Sequence, residues 1–245
     1  MDSYFMGESE QKPIYWTFCK TEDLNEASIE AHLDKLSYTE AMRYEEIQDP
    51  QRSKQFLLGR LLIGHLLDKA FDITDYTIET QDTFDKPKLA FGNSEYDLDF
   101  NISHTQKLVA AVISPVGPVG IDVEDTQIKR NWHAVGKKYF SAHENQDIER
   151  KPASVKDDIC LKLWIAKEAA IKARGQTISR GMADIKMVER WSDRKPFSAK
   201  GTHQDTEWQM FGISPILDHV GTIALVKSDD QKAVPELSLL PYNPS

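Results

Sequence analysis

The sequence predicts an α+β fold made of two halves, each of which mixes helices with an antiparallel sheet. Apolar residues recur at helical spacing over residues 51–71, which predicts one long helix in the first half. Short runs of β-branched and aromatic residues between turn signals predict strands in both halves. The segment Pro115-Val116-Gly117-Pro118 is typical of a turn, and it divides the 245-residue chain nearly in half.

The first half is predicted to contain three helices and four strands. The second helix is expected to end at Asp49-Pro50, because a residue that precedes proline disfavours the helical backbone. The turn over residues 115–118 predicts that the next strand returns beside the preceding one as a hairpin. We place strands at 13–18, 76–80, 98–102 and 107–114, and helices at 24–36, 39–47 and 51–71.

The second half is predicted to be built in the same way. Ser141 and Glu144 form a capping-box pattern at the start of a short helix, and Gly175 offers a stop for a long one. We divide the chain into residues 1–116, 117–227 and a tail, 228–245, whose proline, serine and charge predict an extended or disordered segment. Helices are placed at 131–139, after Ser141 and at 157–173, and strands at 119–124, 185–189, 208–213 and 222–226.

Composition argues against several classes of protein. The formal net charge is −9 and no basic face dominates, which argues against general nucleic-acid binding. The most apolar run, residues 56–67, is interrupted by Arg60 and His65 and is too short to span a bilayer. Two cysteines are too few for a disulfide framework, and no signal peptide is evident. We therefore expect a cytoplasmic location.

The long helix of the second half carries charged side chains inside an apolar stripe. At 100° per residue, Leu161, Trp164 and Ile165 form the stripe, and Glu168 and Lys172 project from its middle. A carboxylate in such a stripe is costly unless a metal or another cation compensates its charge. The alternative is a Glu-to-Lys pair four residues apart on a solvated face. A second acidic motif upstream favours the first interpretation.

That second motif lies on the strand predicted at 119–124. Alternate residues of a strand share a face, so Asp122 and Glu124 point to one side of it. An exposed strand would look the same, so this pair by itself is weak evidence. Together with Glu168, however, the pair supplies three carboxylates, and oxygen-only ligands favour Mg²⁺ or Mn²⁺. Because Mg²⁺ also takes phosphate oxygens from its substrates, the residues predict metal-assisted chemistry on a phosphate.

These motifs, in their order along the chain, resemble the signature of the 4′-phosphopantetheinyl transferases. The acidic residue in the middle of the Gly120–Glu124 motif and the length of the chain resemble the surfactin-synthetase-activating (Sfp) type rather than the short trimeric type. The resemblance extends from about residue 36 to the strand after Gly175. The matching motifs are Gly120-Ile121-Asp122-Val123-Glu124, Trp164-x-x-Lys167-Glu168-Ala169-x-x-Lys172, Asn101-Ile102-Ser103-His104-Thr105 and Lys86-Pro87.

The resemblance implies a pseudo-two-fold monomer of two similar halves, with the active site in the cleft between them. It implies an enzyme that depends on Mg²⁺, with Mn²⁺ as a possible substitute. This enzyme would transfer the 4′-phosphopantetheine arm of coenzyme A to a serine of an apo carrier protein, acyl or peptidyl, and release 3′,5′-ADP. The expected partners are coenzyme A and a carrier domain of fatty acid, polyketide or non-ribosomal peptide biosynthesis, with no nucleic acid and no membrane.

The resemblance also assigns roles to residues. Asp122, Glu124 and Glu168 of the second half are expected to hold the metal ion, which makes the attacked phosphorus more electrophilic. Glu168 or a metal-bound water would take the serine proton, and Lys172 would stabilise the departing phosphate. The first half is expected to bind coenzyme A, with His104 as a phosphate donor. Its expected contact residues are Arg43, Lys86, Pro87, Ser103 and His104.

Two other classes of function are open at this point. A metal-dependent diphosphate hydrolase would use the same ligands, with water in place of the serine. A non-enzymatic protein of the same fold would bind a carrier or a nucleotide without turnover. The complete set of Asp122, Glu124, Glu168 and Lys172 argues against this second alternative, because a binding protein has no need of unpaired carboxylates in a cleft.

Overall fold

The chain folds into helices packed on two large β-sheets, with a separate two-stranded ribbon. The structure is a computed structural model. In the part of the chain that it describes, there are six α-helices and eleven β-strands. The described residues are 12–79, 86–92, 96–176, 181–201, 205–228 and 233–244.

The first sheet combines the first half of the chain with the tail. Its strands, in the order β11-β1-β5-β4, are β1 (Ile14–Lys20), β4 (Asp99–His104), β5 (Leu108–Ser114) and β11 (Leu237–Leu239). The central strand β5 is buried along its length and pairs antiparallel with both β1 and β4. In the tail, β11 lies parallel beside β1, so it covers an edge of this sheet.

The second sheet belongs to the second half and is antiparallel throughout. Its strand order is β6-β10-β9-β8-β7, with β6 at one edge. The separate ribbon pairs β2 with β3. The bounds are β2 (Thr77–Glu79), β3 (Lys88–Ala90), β6 (Val119–Asp125), β7 (Ile185–Met187), β8 (Phe197–Gly201), β9 (Glu207–Ile213) and β10 (His219–Val226).

Each large sheet carries one long helix. The helix α3 (Pro50–Phe71) packs on β1, β4 and β5, and α6 (Ala153–Ala173) packs on β6 and β10. Asp49 caps α3 by accepting hydrogen bonds from the first backbone N–H groups. The predicted α+β fold of two halves is therefore confirmed. The shorter helices are α1 (Glu26–Leu33), α2 (Tyr38–Glu46), α4 (Trp132–Tyr139) and α5 (Ala142–Glu149).

Three apolar cores hold these layers together. One lies under α6 and a second surrounds α3. The third joins the two halves, because it combines Val112 of β5 with Ile121 of β6 and Ile223 of β10. The two cysteines are both free and buried, each within one of the first two cores.

The edge of β6 that faces the first sheet is held by the side chains of β4. Alternate residues of β4 share a face, and on this face three polar side chains accept hydrogen bonds from alternate backbone N–H groups of β6. We call this contact the β4–β6 junction. Its bonds run from Val119 N to Asp99 Oδ2 (2.6 Å), from Ile121 N to Asn101 Oδ1 (2.9 Å) and from Val123 N to Ser103 Oγ (3.2 Å).

The junction explains why one sequence prediction is wrong. We expected β6 to return beside β5 as a hairpin, but β6 pairs with β10 instead. Both edges of β5 are already occupied by β1 and β4, so no edge of that strand is available to β6. The Pro115–Pro118 turn therefore leads the chain from one sheet into the other.

Other predicted elements differ from the structure mainly in length. The helix α6 begins at Ala153, four residues before the expected start, and β2 ends at Glu79, while Thr80 lies outside the described residues. The strands β3, β8 and β11 were not expected. β3 and β11 have only three residues each, too few for a clear alternation, and their pairing depends on a distant partner strand.

The junction predicts a stability loss on removing one acceptor. Asn101→Leu should leave the buried N–H of Ile121 without a partner and lower the free energy of unfolding by about 1–3 kcal/mol. Asn101→Asp should lose less, because a carboxylate oxygen already performs this task at Asp99. Urea unfolding of both variants measures the difference. Equal stability of Asn101→Leu and the unsubstituted protein would show that the junction does not depend on this bond.

Candidate active site

The helix α6 lies very close to β6, and Gly120 makes this approach possible. A Cβ atom at Gly120 would lie 2.1 Å from the carbonyl oxygen of Ala169 and 2.5 Å from the backbone nitrogen of Ala173. Both separations are far below van der Waals contact, so any other residue would push the helix away. The close contact brings Glu168 of α6 against Asp122 of β6.

Lys172 compensates part of the negative charge at this point. Its Nζ lies 2.6 Å from Asp122 Oδ1 and 3.7 Å from Glu168 Oε2. It also donates to Ser103 Oγ at 3.2 Å, and the Ser103 hydroxyl in turn donates to Asp122 Oδ1 at 3.1 Å. Burial lowers the pKa of Lys172, but the Asp122 and Glu168 carboxylates together outweigh burial, so its pKa is raised.

One ammonium group does not compensate three carboxylates. Burial and the charge of Asp122 raise the pKa of Glu168 to about 8, although Lys172 opposes this shift. Burial and Asp122 also raise the pKa of Glu124 to about 7, although Arg130, 3.7 Å away, and Lys172 oppose it. This site therefore holds protons near neutral pH. We call it the carboxylate cluster, and it consists of Asp122, Glu124, Glu168, Lys172 and the Ser103 hydroxyl that is hydrogen-bonded to two of them.

The donor set of the carboxylate cluster fits a hard divalent cation. All its candidate ligands are oxygens, and Asp122 Oδ2 is buried without a hydrogen-bond partner. Within the described residues, however, no three or more carboxylate, imidazole or thiolate side chains are already arranged so that they could hold a metal ion. Since Lys172 occupies Asp122 Oδ1, a cation and this ammonium would compete for the same carboxylate. The metal site stays a prediction.

A cavity of about 580 Å³ lies on the other side of β4, between this strand and α3. Phe100 and Ile102, which alternate with the junction residues along β4, form part of its wall. We call it the cationic cavity, because four of its lining residues are basic. These are Arg43, Arg52, Arg60 and His104.

The basic residues of the cavity differ in their availability to a ligand. Arg60 Nε lies 2.7 Å from Glu40 Oε1, and the guanidinium stacks over Phe56, so Arg60 is engaged inside the protein. Neither Arg43 nor Arg52 has an ion-pair partner in the described part of the chain, which leaves both free to bind an anion.

His104 faces the cavity at the end of β4 and is one residue from the carboxylate cluster. Partial burial lowers the pKa of His104, and the nearby Lys172 and Arg52 cations lower it further, against the effect of Asp122. The imidazole is therefore neutral at pH 7 in the free protein. An anion bound in the cavity would favour its protonation and gain a charged hydrogen bond.

Comparison with known families bears directly on this arrangement. The family described as the 4′-phosphopantetheinyl transferase superfamily matches residues 118–224, which include all four charged residues of the carboxylate cluster. The family predicted from the sequence motifs is therefore confirmed.

Several curated proteins are similar to this chain over part of its length. Alignment with the 4′-phosphopantetheinyl transferase psf-1 of Bacillus pumilus shows 34% identity and covers 59% of each chain. The 4′-phosphopantetheinyl transferase gsp of Aneurinibacillus migulanus is 30% identical over 60% of this chain and 58% of the relative. AcpT of Escherichia coli K12, another named 4′-phosphopantetheinyl transferase, is 29% identical over 55% and 64%. The chain thus spans about three fifths of the length of these relatives. The psf-1 and gsp proteins support the predicted Sfp type.

The first-half residues that the resemblance assigns to coenzyme A binding do not all lie at one site in the structure. Arg43, Pro87 and His104 line the cationic cavity together. Lys86 lies in the β4–β6 junction instead, where its Nζ contacts Asp99 Oδ2 and donates to Val119 O at 2.7 Å. Burial lowers the pKa of Lys86, while Asp99 opposes the shift. Ser103 is buried in the carboxylate cluster and does not line the cavity.

Lys167, the residue before Glu168, acts inside the protein. Its side chain is fully buried, and its Nζ lies 2.6 Å from Glu144 Oε2 and 3.1 Å from Met182 O. Glu144 also forms the predicted capping box of α5 with Ser141. A buried ion pair therefore ties α6 to α5 beside the carboxylate cluster, and Lys167 supports the helix instead of reaching the cavity.

Sequence reasoning missed the roles of Arg52, Asp99 and Asn101. Arg52 lies one turn from Phe56 on α3 and shares its face, but only the packing of α3 against β4 makes this face the wall of a cavity. Asp99 and Asn101 alternate with apolar residues, a pattern that is usually read as a solvated strand face.

None of the helices in the described part of the chain combines the length and the apolar character that a membrane span requires.

The raised pKa of Glu168 predicts how stability depends on pH in a chelating buffer. The folded protein holds this proton up to about pH 8, whereas the unfolded chain releases it near the ordinary glutamate pKa of 4.5. The stabilisation is therefore complete below about pH 4.5 and is lost as the pH rises through about 8. Between these values the free energy of unfolding should fall by up to about 1.4 kcal/mol per pH unit relative to Glu168→Gln.

Denaturant unfolding at a series of pH values measures this slope. Glu22→Gln is a matched control, because Glu22 lies on the surface and should leave the slope unchanged. Parallel curves for Glu168→Gln and the unsubstituted protein would mean that Glu168 is ionised throughout, and the electrostatic description of the cluster would then be wrong.

Proposed function

We propose that the protein transfers the 4′-phosphopantetheine arm of coenzyme A to a serine of an apo carrier protein and releases 3′,5′-ADP. The observation that carries this proposal is that two adjacent residues of β4 belong to two different sites. Ser103 of β4 belongs to the carboxylate cluster, and His104, the next residue, belongs to the cationic cavity. A substrate with several phosphates can therefore contact both sites at once.

The cationic cavity supplies groups for the phosphates of coenzyme A. Among the described residues, Arg43 and Arg52 have no ion-pair partner, and guanidinium groups bind phosphate through two parallel N–H donors. His104 offers an imidazole that gains a proton when an anion approaches. Pro87 and Phe56 provide an apolar wall in the same cavity. These features support coenzyme A over an uncharged ligand of similar size.

The carboxylate cluster supports chemistry on a diphosphate. Asp122, Glu124 and Glu168 would hold a Mg²⁺ or Mn²⁺ ion, which when bound neutralises phosphate oxygens and makes the phosphorus more electrophilic. Lys172 lies beside the same carboxylates and is positioned to compensate negative charge on a departing phosphate. Both contributions are electrostatic, as expected for phosphoryl transfer chemistry.

Glu168 is the group in this cluster best suited to accept the serine proton. Its carboxyl group sits on a helix fixed by the Gly120 contact and by the buried Lys167–Glu144 pair. Its pKa of about 8 is close to working pH, which favours proton transfer by a general base. Added positive charge at the site would lower this pKa and make the ionised, basic form available.

All of the proposed site residues lie on one chain, which supports action as a monomer with an apo carrier domain as partner.

The two cysteines are free and buried, which suits a reducing compartment, and we place the protein in the cytoplasm on that ground. The carriers of fatty acid, polyketide or non-ribosomal peptide synthesis are the acceptors that the family resemblance of the sequence motifs makes worth testing first.

The decisive experiment measures whether the carrier protein, which is the proposed acceptor, becomes modified. The protein, coenzyme A and Mg²⁺ are incubated with apo acyl and apo peptidyl carrier domains, and each carrier is weighed by mass spectrometry. We expect a mass gain equal to phosphopantetheine on one carrier serine, and no gain in a chelating buffer. Release of the nucleotide without carrier modification would indicate a diphosphate hydrolase. Coenzyme A binding with neither product would indicate a binding protein.

A second prediction separates the roles of Glu168 and Glu124. Glu168→Gln should lower the turnover rate about 10²–10⁴-fold, the loss expected for a general base, even at saturating Mg²⁺. Glu124→Gln removes a candidate ligand without removing the base, so high Mg²⁺ should largely restore its rate. Turnover is measured against Mg²⁺ concentration for both variants. Full recovery of Glu168→Gln at high Mg²⁺ would overturn the base role and assign the proton to a metal-bound water.

A further inference from the structure

The turn that joins β4 to β5, residues 105–107, is held in place by side chains of the first half. Gln55 of α3 donates from Nε2 to Thr105 O at 2.7 Å. Gln106 O accepts from Gln51 Nε2 at 2.5 Å and from Thr21 Oγ1 at 2.9 Å. These contacts fix the turn, and with it the backbone of His104, against α3 and the wall of the cationic cavity.

The second half of the chain reaches the same turn through two further contacts. Thr105 Oγ1 lies 3.0 Å from His219 Nε2, and Lys107 Nζ lies 2.8 Å from Asp125 Oδ2. His219 and Asp125 are partners in the ladder, where β10 begins and β6 ends. Because Asp125 follows Glu124 directly, the turn is tied to β6, which carries Asp122 and Glu124, and to β10 beside it.

The direction of the Thr105–His219 bond follows from the other bonds of the threonine. Thr105 Oγ1 accepts hydrogen bonds from the N–H groups of Lys107 at 3.2 Å and Leu108 at 3.1 Å. These two bonds occupy its lone pairs, so the hydroxyl proton is left to donate to His219 Nε2. His219 is only 2% exposed and Thr105 8%, so water does not readily replace the bond.

We propose that His219 is a positioning residue, which through Thr105 fixes His104 of the cationic cavity relative to the carboxylate cluster. The inference rests on the proposed function, since it assumes that one phosphate-bearing ligand contacts both sites. Gln51 and Gln55 hold the turn on the cavity side, and His219 holds it on the side of the cluster. Without His219 the turn keeps its attachment to α3 but loses its buried tie to β10.

The test is a double-mutant cycle between His104 and His219, read out as the dissociation constant of coenzyme A by calorimetry in the presence of Mg²⁺. His219→Leu removes the acceptor and should weaken coenzyme A binding about fivefold, the loss expected for one neutral hydrogen bond. His219→Gln keeps an acceptor near the Nε2 position and should recover most of the affinity. Thr105→Ser keeps the hydroxyl and should bind normally.

The cycle distinguishes positioning from a general effect on folding. If His219 acts through His104, His219→Leu should have no further effect in the His104→Ala background. The Michaelis constant for the carrier should change less than twofold, because the proposed function assigns the cationic cavity to coenzyme A. Additive losses in the double variant, or equal losses for coenzyme A and carrier, would overturn the positioning role.

The same measurements keep this inference separate from the proposed function. If the unsubstituted protein binds coenzyme A and the cycle is non-additive, positioning holds even when no carrier is modified. If carrier is modified and the cycle is additive, the transferase function stands and the role of His219 is wrong. Absence of coenzyme A binding by the unsubstituted protein would overturn both.

Discussion

The contact between the polar face of β4 and the N–H edge of β6 determines how the rest of the molecule is arranged. A buried backbone N–H must find an acceptor, and β6 cannot find one on β5, because both edges of that strand are occupied. Asp99, Asn101 and Ser103 supply the acceptors instead. The two sheets can therefore meet along β4 and β6 without merging into one.

This junction also makes β4 a wall shared by two sites. One face of the strand carries Ser103, which donates to Asp122, while the opposite face carries Phe100 and Ile102 of the cavity. His104 is the next residue on this second face, and it also lines the cavity. Because alternate strand residues point to opposite sides, a single residue step along β4 separates His104 of the cavity from Ser103, which contacts the carboxylates. A diphosphate fits this division, since its charge can be bound on one side and its reacting bond on the other.

The electrostatics of the cluster fit a functional site better than a structural one. Three carboxylates lie around a single ammonium, so burial and mutual repulsion raise the pKa of Glu168 and Glu124. Such an arrangement costs stability in the free protein, and strongly perturbed groups of this kind concentrate at active sites. By contrast, the Lys167–Glu144 pair one residue away is balanced, and it stabilises the position of α6. Two neighbouring residues of α6 thus have different roles: Glu168 belongs to the carboxylate cluster, and Lys167 holds the helix in place.

The sequence by itself determined the fold class, the long helices α3 and α6, the family, and the acidic motifs, because these depend on local periodicity and on residues close together along the chain. Tertiary structure alone decided that β6 leaves β5 for β10, that Lys86 belongs to the junction and that Arg52 lines the cavity. Each of these depends on which strand edges are already paired and which faces meet. A single sequence does not encode that information locally, so alternation along β4 looks the same whether its polar face meets water or β6.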